Sequence, residues 1–174
     1  MATADVRDRL QPALLDRITD ETRGEAGMLE DRRVMSKAQL RQAVLRDLAW
    51  LFNSVQPMGA GADGYPEVAN SVLNFGLPAL SGQLASKVDV SVLARAIREA
   101  ILRYEPRILP DTLEVAAIES GSVLDTHNVI EFEIRGHLWS QPVPLEILLR
   151  TQLDLEAGQV EVRDVAAAAP SKVR

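Results

Sequence analysis

Carboxylates are the side chains of this sequence whose number and placement could support catalysis. Cysteine is absent, which removes disulfides, thiolate metal sites and thiol nucleophiles together. His127 and His137 stand ten residues apart, a spacing that matches no metal-binding signature, and we expect both to be ordinary surface residues. We therefore expect no metal, no cofactor and no histidine-based catalytic centre.

Four carboxylates are the candidates for acid–base work: Glu105, Glu131, Glu133 and Asp154. A glycoside hydrolase needs two carboxyl groups about 5 to 9.5 Å apart that flank a sugar cleft. Three of these carboxylates alternate with apolar residues, which is typical of the solvated face of a sheet. The chain also offers few aromatic side chains for stacking on sugars, with two Trp, two Tyr and three Phe. We predict that the protein is not an enzyme.

The segment Glu105-Pro106-Arg107 favours recognition over catalysis. Proline ends the preceding helix and fixes the local backbone, so that a carboxylate and a guanidinium stand on a rigid corner. Such a corner could make bidentate, charge-assisted hydrogen bonds to another chain. The alternative is a helix stop with a surface ion pair worth about 0–1 kcal/mol.

Composition excludes several other classes of function. The 174 residues carry a net charge of −6, and the pI near 5.0 argues against a protein that binds nucleic acid by neutralising phosphates. No apolar run approaches the ~20 residues needed to span a bilayer, and the charged residues 1–10 lack the apolar core of a signal peptide. We expect a cytoplasmic protein. The acidic excess lies in residues 110–174, with eleven acidic and five basic side chains.

Two helices are predicted to position the corner. Ser36 and Gln39 form a capping-box pattern, and a helical stripe follows that we expect to run on to Pro57. The second helix begins near Ser86 or Asp89 and ends at Pro106. The two apolar stripes comprise Leu40, Val44, Leu48, Leu51 and Val55, then Val90, Leu93, Ile97, Ile101 and Tyr104. Between the helices we expect a Gly- and Pro-rich surface loop at 56–66 and an ambiguous segment at 67–85.

From Thr112 the hydrophobic period changes to two, which predicts antiparallel strands with one buried and one acidic face. The expected fold is α+β, with a small antiparallel sheet of three to four strands packed against two main helices and an extended N-terminal arm. We divide the chain into an arm at 1–35, a domain at 36–165 and a disordered tail at 166–174. The last hairpin, 145–165, is our candidate for a free sheet edge.

The chain resembles the TssE family of type VI secretion baseplate components, and more widely the lysozyme-like family of phage-tail baseplate wedge proteins. The resemblance follows the chain in order, and no single stretch carries it. The matching stretches are LLDRITD (14–20), RDLAWLFN (46–53), YPEV (65–68), SVLNFGLP (71–78), ILRYEPR (101–107) and LRTQLDL (149–155).

This resemblance implies a structural role in a sixfold baseplate. The expected partners are the TssF–TssG core bundle and the TssB–TssC sheath, whose first ring the protein would template, with TssK and the inner tube as further candidates. The family's interaction signature carries over onto Glu105, Pro106 and Arg107. We also expect Leu14, Leu15, Asp16 and Arg17 in the arm to bind a partner. The implied location is the cytoplasmic face of the inner membrane.

Two alternatives remain at the level of the sequence. One is the wedge protein of a contractile phage tail or a related particle, which would share the fold and differ in its assembly. The other is a peptidoglycan-cleaving hydrolase that depends on Glu105, although no catalytic pair can be placed on matching positions.

Overall fold

A computed structural model describes residues 12–19, 35–58, 64–79, 89–118 and 129–165, and every structural statement below concerns these residues. The helices are α1 (Leu14–Thr19), α2 (Lys37–Phe52), α3 (Pro66–Ala69) and α4 (Val90–Tyr104), and the strands are β1 (Glu114–Ile118), β2 (Val129–Leu138), β3 (Leu145–Asp154) and β4 (Gln159–Asp164). Short 3-10 turns occupy Val72–Asn74 and Pro110–Thr112. His127, the tail at 166–174 and most of the arm lie outside the described residues.

The four strands form one antiparallel meander in the order β1-β2-β3-β4. The period-two pattern is confirmed, because alternate residues of β2 and β3 are buried. Phe132 and Ile134 are fully buried, and Ile134 lies opposite Leu149. Gly158 adopts a positive φ of 65° in the tight turn between β3 and β4, a conformation that glycine takes without strain. The α+β prediction is therefore confirmed.

Helices α2 and α4 cover the apolar face of the sheet. Leu48 of α2 and Ile101 of α4 are both 0% exposed, and they belong to the same core cluster as Phe132 and Leu149. Burial of each such side chain contributes about 1.5–3 kcal/mol to folding. The core therefore fixes the end of α4, where the Glu-Pro-Arg segment begins.

The start of α2 follows the prediction and its end does not. Ser36 and Gln39 form the expected capping box. The helix ends at Phe52, before Pro57, and Val55 is 60% exposed instead of buried. The cause is a long-range pairing, because Leu77 donates its N–H to the Ser54 carbonyl and its own carbonyl accepts from Gln56.

Gly76 makes that pairing possible. Its φ is +126°, and an added Cβ would lie 2.3 Å from the Ser54 carbonyl oxygen. The ambiguous segment at 67–85 contains α3 and the turn Val72–Asn74 in its described part. The hydroxyl of Tyr104 lies 3.0 and 2.8 Å from the carbonyl oxygens of Ser71 and Asn74, which ties this segment to the end of α4.

The second main helix agrees with its prediction at both ends. Asp89 caps α4, and its Oδ1 accepts hydrogen bonds from the N–H groups of Ser91 and Val92. The helix ends at Tyr104, and Glu105 is its C-cap, directly before Pro106. Proline at this position disfavours the α conformation of the residue that precedes it.

Candidate interaction site at the Glu-Pro-Arg corner

In the Glu-Pro-Arg corner, the side chains of Glu105 and Arg107 bond to each other. Glu105 is only 3% exposed, and its backbone N–H donates to the Ile101 carbonyl at 2.8 Å. Arg107 donates from Nε to Glu105 Oε1 at 2.6 Å and from Nη2 to Oε2, and its backbone N–H bonds Oε1 at 3.2 Å. The carboxylate and the guanidinium therefore form a bidentate pair within the chain, and the pair is largely buried instead of lying on the surface.

This ion pair is one end of a longer chain of charges, which we call the charge network. Nη2 of Arg107 also donates to Asp47 Oδ2 at 2.5 Å. The other oxygen of Asp47 accepts from Nε and Nη2 of Arg46 at 2.9 and 2.8 Å. Nη1 of Arg46 then donates to Asp16 Oδ1 at 2.5 Å. The network comprises Glu105, Arg107, Asp47, Arg46 and Asp16, with charges that alternate in sign.

The carboxylates hold both guanidiniums in their charged form. Burial lowers the pKa of Arg107, but the hydrogen bonds and charges of Glu105 and Asp47 outweigh it and raise that pKa above its ordinary value. The hydrogen bond that Arg46 donates to Asp16 is the main reason that the pKa of Arg46 is raised. Neither arginine can act as a proton donor or acceptor near neutral pH.

Backbone pairing with β2 fixes the corner from its other side. Trp139 donates its N–H to the Arg107 carbonyl at 2.8 Å, and Leu109 donates to the His137 carbonyl at the same distance. Ile108, which lies between Arg107 and Leu109 in the sequence, is 1% exposed. The corner is therefore held by the end of α4, the end of β2 and its own ion pair.

A groove of about 230 Å³ opens beside the charge network. Its lining is mostly apolar and aromatic, with Asp47, Glu105 and Arg107 along one wall; the apolar members are Leu48, Trp50, Leu51, Phe75 and Tyr104. Trp50 is 51% exposed, and the Arg46 guanidinium stacks over its ring at 5.1 Å. A half-exposed tryptophan next to oriented charges is typical of a protein–protein contact.

The structure gives the predicted site residues different roles. Pro106 is exposed, Arg107 is half-buried, and Glu105 faces inward. Leu14 and Leu15 are exposed, while the side chain of Arg17 lies outside the described part of the chain.

Sequence reasoning missed four residues near the corner: Arg46, Asp47, Trp50 and Trp139. The first three stand in the stretch 46–53, which we used for the resemblance without assigning functions to its members. Trp139 is 46% exposed and is joined to Arg107 through the backbone, and no local pattern signals that long-range contact.

The strand carboxylates have structural partners of their own. Glu131 accepts from Gln152 at 2.7 Å, and Glu133 pairs with Arg135 at 2.6 Å on the outer face of the sheet. Asp154 Oδ1 accepts two backbone N–H groups in the turn between β3 and β4. His137, which we expected at the surface, is half-buried.

Asp47 and Glu105 share the wall of the groove, but both bind Arg107. A glycosidase acid must present a proton to the sugar, and both oxygens of Glu105 instead accept hydrogen bonds from this guanidinium. The arrangement suits a role in holding the corner in shape.

The sequence profile of the family described as baseplate wedge protein gp25 matches residues 38–143, more than half of the chain. The chain belongs to this family of structural baseplate proteins. The match includes α2 except Lys37, the whole of α4, the corner and four of the five residues of the charge network. No curated protein and no solved structure matched the chain. None of the described helices has the length and apolar character needed to cross a membrane.

Proposed function

We propose that the protein is the wedge subunit of a type VI secretion baseplate and docks through the Glu-Pro-Arg corner on the TssF–TssG core bundle. One observation carries the proposal. The charge network joins residues from three stretches that resemble the TssE family, namely 14–20, 46–53 and 101–107. The network thus brings together three separate stretches that resemble the family, beside one exposed groove. This arrangement supports a binding site there.

The corner also has the physical properties that a docking site needs. Arg107 is fixed by two carboxylates, so a partner would not have to order its side chain on binding. Its Nη1 donates no hydrogen bond within the described part of the chain, and the side chain is 27% exposed. The groove beside it can receive an apolar side chain, and Arg107 can bond an acceptor next to it.

We further propose that the β1 edge templates the first sheath ring. Asn53 bonds both the N–H and the C=O of Val160 in β4, so the backbone groups of Val160 point away from β3 and this edge is partly covered. Backbone groups point alternately to one side and the other along each strand. When this alternation is followed from Val160 through the strand registers, the backbone groups of Val115 and Ala117 in β1 point away from β2. This favours β1 over the last hairpin as the edge to which TssB–TssC strands add.

TssK and the inner tube remain further candidate partners in this proposal, which locates the protein at the cytoplasmic face of the inner membrane. The resemblance supports these assignments, together with the coarser family membership.

Co-purification tests the docking proposal. Replacement of Trp50 by Ala removes a half-exposed aromatic side chain from the groove and leaves the charge network in place. We expect the variant to lose most of its binding to co-expressed TssF–TssG. Val92→Ala is the matched control, because Val92 is 52% exposed on α4 and does not line the groove. Wild-type recovery of both proteins by Trp50→Ala would contradict the proposal.

A phage-tail wedge protein is the second candidate, which the description of the matching family itself favours. The genes next to this one separate the two candidates. Genes for TssF, TssG and a membrane complex would support secretion, whereas capsid genes would support a phage particle.

A further inference from the structure

Helix α1 is attached to the domain by its polar side. The Asp16 side chain is 15% exposed and bonds Arg46, while Leu14, Leu15 and Ile18 are 72%, 41% and 59% exposed. An amphipathic helix that packs on its own domain normally buries its apolar side. This helix does the opposite.

Folding of the isolated domain does not explain that orientation. A helix of six residues is not stable by itself, and an ion pair at a partly exposed site contributes little stability. Leu14 and Ile18 are four residues apart and therefore share one side of the helix. Their exposure suits contact with another chain.

We infer that α1 is a pre-positioned docking element whose apolar side inserts into an apolar groove of the partner that binds the corner. This inference rests on the proposed function and names a second contact with the same partner. Asp16 acts as the positioning residue, and Leu14, Leu15 and Ile18 make the contact.

Continuity with the corner argues for this occupant. Asp16 binds Arg46, Arg46 stacks on Trp50, and Trp50 lines the groove beside Arg107. A partner seated on the groove would therefore reach α1 without leaving the surface. A short helix with anchors at i, i+1 and i+4 matches the way in which amphipathic helices occupy apolar grooves.

Affinity measurements with purified TssF–TssG and the full chain test the contact. We expect the double variant Leu14→Ser, Ile18→Ser to weaken binding on the order of tenfold or more, because it removes apolar anchors. Asp16→Asn should also weaken binding and should speed hydrogen exchange of the α1 amides in the free protein, since the helix is no longer held. Asp111→Asn is the control for loss of an exposed acidic residue, and it should alter neither measurement.

A cross-link tests whether α1 binds the partner while it is attached to the domain or must first leave the domain. The chain contains no cysteine, so Asp16→Cys with Arg46→Cys can be bridged by a short bismaleimide. We expect weak binding before bridging and recovered binding afterwards. Lower affinity after bridging would show that α1 must leave the domain and would overturn the inference.

The two proposals fail in different ways. Unchanged affinity of the serine double variant beside a binding wild-type chain would overturn the role of α1 alone. Failure of the wild-type chain to bind TssF–TssG would overturn the proposed function, and with it the occupant named here.

Discussion

At the scale of residues, the Glu-Pro-Arg segment is first an internal support. The Glu105 carboxylate is buried, and among the described residues the guanidinium and the backbone N–H of Arg107 compensate for its loss of water. A buried carboxylate without its partner is costly, because its desolvation is no longer offset. Glu105 therefore gives the corner its shape, Trp50 and Pro106 offer a surface, and Arg107 contributes to both.

Replacement of Arg107 by Ala should consequently destabilise the protein. Breaking a buried ion pair costs about 3–5 kcal/mol, and we expect the lower end because the Arg107 side chain is 27% exposed. A loss of about 3 kcal/mol corresponds to a fall in Tm of roughly 6–12 °C for a chain of this size. Thermal unfolding followed by circular dichroism measures it.

Arg135→Ala provides the comparison for that experiment. Arg135 is 63% exposed and pairs with Glu133 on the outer sheet face, so its loss should cost no more than about 1 kcal/mol. Equal Tm values for the two variants would show that Arg107 does not support the fold.

At the scale of elements, the sequence predicted the features that depend on short-range interactions. The capping box and the Asp89 cap depend on neighbours a few residues away, and the alternation in β2 and β3 is visible as a period of two within each strand. Val55 was predicted wrongly, because the pairing of Ser54 with Leu77 overrides the apolar stripe. The charge network was beyond prediction for the same reason, since its ion pairs join residues 30 and 60 positions apart.

The cap of α4 makes stability depend on pH. Hydrogen bonds from Ser91 and from the Val92 backbone lower the pKa of Asp89 below its ordinary value of 3.8. The ionised cap therefore stabilises the folded state above the unfolded pKa, and this contribution disappears as the pH falls through the lower, folded pKa. The Tm difference between wild type and Asp89→Ala should shrink from about pH 6 to about pH 2.5. A difference that grows on acidification would contradict this role.

The β1 edge can be tested with a pair of prolines. The N–H of Ala117 points outward, so Ala117→Pro should fold and should block sheath assembly in cells. Ala116 directs its N–H toward β2, so Ala116→Pro should disrupt the sheet itself. Fluorescent sheath structures in cells and circular dichroism of the purified variants measure the two effects. Normal sheaths with a folded Ala117→Pro variant would exclude the β1 edge.

At the scale of the whole molecule, the structure shows where the acidic excess of residues 110–174 lies. The acidic C-terminal third forms the sheet, but arginines are interspersed with the carboxylates on its outer face, as in the pairs Glu133–Arg135 and Glu161–Arg163. That face is therefore not uniformly acidic. The surfaces that we propose for partner binding are the corner, α1 and the β1 edge.

Photo-crosslinking from the groove tests whether Trp50 lies against TssF or TssG in the assembled baseplate. A photoreactive amino acid replaces Trp50 in one variant and Val92 in another, both in cells that express the whole baseplate. We expect covalent adducts with TssF or TssG from position 50 and none from position 92. Adducts from position 92 alone, or none from position 50 in cells that assemble baseplates, would contradict this expectation.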